Sequence, residues 1–115
     1  MTITATIYHN PRCSKSRQTL QILQDNGIAP KIIEYLNDAP DRATLTDILS
    51  KLGMKPFDLI RKKEAKELGV YNADTSDNDM IDIILKNPIL MERPVVVTDK
   101  GACIGRPPES VTKIL

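Results

Sequence analysis

A β-branched run that stops at Asn10-Pro11 and passes directly into a helix-period segment constrains this chain more than any other feature. Residues Thr2 to Tyr8 suit a buried strand that ends at turn formers. From Ser14 to Asn26, Leu20 and Leu23 lie three apart with Thr19 and Ile22 beside them, and Gly27 supplies a helix stop. Lys31 to Leu36 (KIIEYL) has the composition of a second strand. Strand, helix and strand in about thirty residues form a βαβ unit, so the two strands are expected to be parallel with a right-handed crossover.

A helical insertion follows, at about residues 40–88. Asp41 is placed to cap a helix with Leu45, Ile48, Leu49 and Leu52 on one face and Gly53 at its end. After Pro56, the piece FDLIRKKEAKEL has a mixed face and a basic cluster. Ser76 precedes Asp79 in the spacing of a capping box, ahead of Met80, Ile81, Ile84 and Leu85. Pro88 closes that helix. The chain then returns to β structure: Pro94 to Thr98, the turn Asp99-Lys100-Gly101, and Ala102 to Gly105 read as an antiparallel hairpin. Pro107-Pro108-Glu109 opens a short last helix that turns Val111, Ile114 and Leu115 inward. The expected class is α/β, a thioredoxin-like four-stranded mixed sheet flanked by helices. The helical insertion separates the βαβ unit from the C-terminal ββα unit, within a single domain over 1–115.

Charge narrows the function. A formal net charge of +1 argues against a body that serves as a nucleic-acid or membrane-surface footprint, yet leaves room for a small positive pocket. No apolar run is long enough to span a bilayer. The N-terminal stretch lacks the basic run and cleavage site of a secretory signal, so with two cysteines the expected compartment is a reducing cytoplasm.

Cys13 stands where the first helix begins. Helix amides there have no internal partners, and the dipole leaves partial positive charge, which favours thiolate over thiol. Its neighbours Pro11, Arg12, Ser14, Lys15, Ser16 and Arg17 are too polar for a core. His9 and Ser16 are placed to lend the thiolate a hydrogen bond or charge, and such surroundings bring cysteine pKa values to roughly 3.5–7.5. A Cys-x-x-Cys pair would put its second thiol at position 16, where this chain has serine. Whatever Cys13 forms must be resolved by another molecule's thiol or by Cys103, whose place between Ala102 and Ile104 reads as structural. A phosphatase loop, Cys-x5-Arg, is excluded by Thr19, and one His with two distant cysteines gives no metal spacing.

Arg61, Arg93 and Arg106 each adjoin apolar sequence (LIR, LMERP, IGRPP). Arg93 and Arg106 flank the start of one hairpin strand and the end of its partner, so the hairpin brings them together. Two converging guanidiniums repel unless an anion lies between them, and their planar forks suit a tetrahedral oxyanion.

The strings HNPRCSKSRQTL, LIRK, NPILMERPVVVTDKG and GRPP, in that order, resemble the glutaredoxin-coupled arsenate reductases of thioredoxin-like fold. The likeness covers nearly the whole chain. It implies Cys13 as nucleophile, Arg61, Arg93 and Arg106 as the substrate-binding arginines, Pro94 as a cis-proline beside the cysteine, and His9 and Ser16 as supports of the thiolate. It also implies arsenate as substrate, glutathione as co-substrate, glutaredoxin as partner and no bound cofactor or metal. Two other readings remain: a thiol-sensing regulator, and a monothiol oxidoreductase of the same fold that does not turn over arsenate.

Overall fold

Asn10-Pro11 ends the first strand where the sequence places it. In a computed structural model, which describes residues 4–115, β1 runs Ala5–His9 and α1 runs Ser14–Asp25, with β2 at Lys31–Glu34. Thr2 and Ile3, included in the expected first strand, lie outside the described residues. α1 stops because Asn26 caps it and Gly27 takes a φ of 75°, a backbone region that costs glycine little. After the insertion come β3 (Val95–Thr98) and β4 (Gly101–Ile104), then a 3₁₀ helix over Pro108–Ile114. The sheet order is β2-β1-β3-β4, with β1 parallel to β2 and antiparallel to β3. This is the expected thioredoxin-like mixed sheet.

Two compact units result: residues 1–38 with 93–115, and residues 39–92. In the first, Ala5, Ile7, Leu23, Ile28, Val96, Val111 and Ile114 form the core. Ile7 pairs directly with Val96, so both side chains emerge on one sheet face, and α1 packs with the terminal 3₁₀ helix in that core. The last helix is 3₁₀ because of its spacing: Pro108, Val111 and Ile114 lie three apart and are buried, and a three-residue turn puts them on one line.

The second unit is the helical insertion: α2 (Arg42–Leu52), α3 (Pro56–Leu59), α4 (Lys62–Leu68), α5 (Asp77–Lys86) and a 3₁₀ turn at Pro88–Leu90. Asp41 accepts from Thr44 N at 2.8 Å and Ser76 from Asp79 N at 3.1 Å, so both expected caps form. α2 and α3 pack against α5, which helps bury Leu45, Ile48, Leu59, Met80 and Ile84. Among the described residues no helix is long and apolar enough to cross a membrane.

One glycine couples the hairpin to α1. Gly105 N donates to Pro94 O at 2.9 Å, extending the β3–β4 ladder past its last strand residue. A Cβ at Gly105 would collide with the Thr19 hydroxyl and lie 2.9 Å from Pro94 Cγ. Thr19 is fully buried and its hydroxyl donates to Lys15 O at 2.8 Å, so it has little room to yield. Gly105→Ala is expected to destabilise the protein by about 1–3 kcal/mol through overpacking. Urea denaturation checks this: an unshifted midpoint would show that the contact relaxes freely.

Candidate active site

The turn after β1 fixes where the thiol sits. Cys13 N donates to Asn10 O at 3.0 Å, closing a four-residue turn, while Arg12 N donates to Asn10 Oδ1 at 3.0 Å. Arg17 reaches back across the turn, its Nη1 donating to Pro11 O at 2.9 Å. Cys13 itself is the N-cap residue of α1, with extended backbone (φ −93°, ψ 123°) and its carbonyl accepting from Arg17 N. The sequence expectation of a cysteine at a helix start therefore holds.

Two of the three arginines meet it. The register pairs Val95 with Ile104, so residues just before β3 and just after β4 are neighbours. Arg106 Nε donates to Arg93 O at 2.9 Å, and Arg106 Nη2 lies 3.8 Å from Cys13 Sγ, in contact with the sulfur. The Arg93 guanidinium also hydrogen-bonds Cys13. Burial pushes the Cys13 pKa up. The Ser16 backbone N–H, the Arg93 side chain and the Lys15 backbone N–H outweigh that, and the thiol is held below its ordinary range.

Arg93 has capacity to spare. Its Nε and Nη1 are buried and have no hydrogen-bond partner among the described residues. Buried cationic N–H groups without an acceptor are costly. Both Arg93-Pro94 and Arg106-Pro107 are cis peptides. The first was expected at Pro94, whereas the second was not.

His9 and Ser16 form a linked pair beside this centre. His9 Nδ1 is 2.6 Å from Ser16 Oγ, which also accepts from Asn10 N at 3.0 Å. Burial lowers the His9 pKa, Glu34 raises it from its paired position on β2 and Arg17 lowers it, leaving it below the ordinary value. In the neutral ring one nitrogen donates and the other accepts, so the tautomer sets the direction of the Ser16 bond. Ser16 thus serves the thiolate through its backbone N–H, and its side chain ties His9 to the turn.

Arg61 lies in the second unit. It caps α4, its backbone N donates to Leu90 O, and its guanidinium pairs with Glu64 at 3.0 Å. Cys103 is half-buried against the core of the first unit, with its sulfur donating to Ile104 O and Ser110 O at 3.3 and 3.4 Å. Burial raises its pKa, and Lys113 offsets only part of that. Among the described residues there is no cluster of three or more metal-ligating side chains. The sequence reading missed Asn10, which builds the turn through its side chain and backbone. The Asn-Pro step was the available signal.

The ArsC family model matches residues 8–114. An arsenate reductase of Neisseria meningitidis is 40% identical over 95% of this chain and 96% of its own length. An Escherichia coli protein named only as uncharacterized YfgD is 48% identical, covering 100% of this chain and 99% of its own. The structure of an arsenate reductase from Vibrio cholerae superposes with a TM-score of 0.94 at 40% identity, covering 100% of both chains.

Alkylation by iodoacetamide measures the state of the thiol. The Cys13 rate should level off below the ordinary thiol pKa of about 8.5. In Arg93→Ala the inflection should move upward, and a shift of one unit corresponds to about tenfold less thiolate well below it. A wild-type inflection at 8.5 or above would contradict the arrangement. Ser16→Ala leaves a buried backbone N–H and the His9 ring without their shared partner, which should cost about 1–3 kcal/mol of stability in urea unfolding.

Proposed function

The chain belongs to the ArsC family, and from that premise we propose that it reduces arsenate to arsenite with Cys13 as nucleophile. The observation that carries this reading is the pair of cations at the thiol: Arg106 Nη2 lies 3.8 Å from the sulfur, and the Arg93 guanidinium has two buried N–H groups with no acceptor among the described residues. A tetrahedral oxyanion held by those groups and by Arg106 would present its central atom to the thiolate.

Attack by the Cys13 sulfur forms a sulfur–arsenic bond and expels one oxygen as water, with arsenic still in the +5 state. The arginines hold the anion before attack and offset charge on the oxygens as the leaving group departs. The glutathione sulfur then bonds the arsenic, and a second oxygen leaves as water. A glutaredoxin thiolate attacks that glutathione sulfur; the glutathione–arsenic bond breaks with its electron pair left on arsenic, which becomes +3, and the glutathione departs as a mixed disulfide with glutaredoxin. Water then displaces the Cys13 sulfur from arsenic, releasing arsenite and the thiolate. External thiols are required because position 16 is serine and the Cys103 sulfur is engaged with Ile104 O and Ser110 O. A cytoplasmic setting, where glutathione keeps thiols reduced, fits this chemistry.

Arsenate-dependent NADPH oxidation in the presence of glutathione, glutaredoxin and glutathione reductase tests the proposal. Cys13→Ser should abolish turnover. Arg93→Ala and Arg106→Ala should each lose about 10²–10³ in kcat/KM, the usual consequence of deleting one donor to a reacting oxyanion. Family resemblance gives Arg61 the same duty, and Arg61→Ala should then show a loss of the same order. Full activity in both the Arg93 and Arg106 variants would defeat the oxyanion assignment and favour a monothiol oxidoreductase.

A further inference from the structure

We propose that the side chains of Arg12 and Lys15 recognise the carboxylates of the low-molecular-weight thiol that resolves Cys13, a peptide thiol of the glutathione type. The proposal deepens the preceding one and rests on its claim that an external thiol meets Cys13. It does not rest on arsenate.

The two cations flank the nucleophile in the chain, Arg12 one residue before it and Lys15 two residues after. Both are exposed, and neither side chain has a partner among the described residues. Neighbouring cations all have structural or catalytic duties: Arg17 ties down Pro11 O, Arg106 holds Arg93 O, and Arg93 bonds the sulfur. Lys15 also stands against the local electrostatics. Basic residues in the first helical turn oppose the macrodipole, and α1 has no acidic residue in that turn to compensate. The first acid in the chain is Asp25. A chain of nearly balanced charge therefore gathers uncompensated cations where folding alone would place acids.

The main influences on the Cys13 thiol are its burial, the Ser16 and Lys15 backbone N–H groups and the Arg93 guanidinium. The oxyanion has its own donors in Arg93 and Arg106. What remains for Arg12 and Lys15 is a reactant that must bring its own sulfur to Cys13 from solvent. A peptide thiol carrying carboxylates a few bonds from its sulfur has the complementary charge, and such complementarity speeds encounter and fixes orientation.

Thiol–disulfide exchange isolates this contact. Cys13 thiolate attacks one sulfur of oxidised glutathione; a new S–S bond forms as the old one breaks, and one glutathione leaves as thiolate. Rates of Cys13 modification by oxidised glutathione and by neutral hydroxyethyl disulfide, followed by peptide mass spectrometry, give a preference ratio. In the Arg12→Ala/Lys15→Ala double variant that ratio should fall about tenfold, the size two exposed charge pairs can supply. In Arg12→Glu/Lys15→Glu it should fall further, and in the wild type it should shrink in high salt.

An unchanged ratio in the double variant overturns the proposal. So does an equal fall in both rates, which would mean the pair acts on the thiolate. An unchanged ratio accompanied by slower reduction by glutaredoxin also overturns it, since the cations would then face a protein. No arsenate is present in these assays, so a wild-type protein without arsenate turnover would sink the reductase reading alone.

Discussion

A cation with unmet hydrogen-bonding capacity organises the site. A buried charge is tolerated when it is paired and its donors are occupied. Arg93 is only partly satisfied from within: it acts as a donor toward Cys13, while its buried Nε and Nη1 have no hydrogen-bond partner among the described residues. The hairpin makes this arrangement possible. Val95 opposite Ile104 aligns the strand ends, Gly105 extends the ladder to Pro94, and Arg106 Nε clasps the Arg93 carbonyl. The sheet thus holds two like charges together, and an anion between them would relieve their repulsion.

The turn from Asn10 to Cys13 supplies the other half. Its backbone bond aims Cys13 N at Asn10 O, and the extended N-cap conformation leaves the Lys15 and Ser16 amides free for the sulfur. The His9–Ser16 pair then fastens the start of the helix to the end of β1. Stability and reactivity share these contacts. A change in the tie alters the placement of the amides, and through them the charge state of the thiol.

Much of this was legible in the sequence because it depends on local rules. The β-branched run, Asn-Pro and Gly27 define the βαβ unit, and the helix start puts Cys13 at a dipole end. Hairpin logic alone brings Arg93 and Arg106 together, since turn length fixes which ends meet. What was hidden depends on direction and fine contact. Spacing places Ser16 near Cys13 but cannot say that its amide faces the sulfur while its hydroxyl faces His9. The close approach of Gly105 to Thr19 joins residues far apart in the chain, and no local pattern marks it. The last helix was expected without its type, although the three-residue spacing of Pro108, Val111 and Ile114 carried that information. Arg61, in the second unit, pairs with Glu64, a partner its i,i+3 spacing already offered.

The two cysteines show how much of thiol chemistry belongs to the surroundings. Both are half-buried, and burial pushes both pKa values up. For Cys103 little opposes that push: it lies in β4, donates to backbone carbonyls and packs against the core, so the neutral form is favoured. Carbonyl acceptors stabilise the protonated sulfur, whereas the amide and guanidinium donors around Cys13 stabilise the anion. The same residue type therefore has its thiol favoured within β4 and its thiolate favoured at the helix start. Donor polarity at the sulfur separates the two fates more than solvent exposure does.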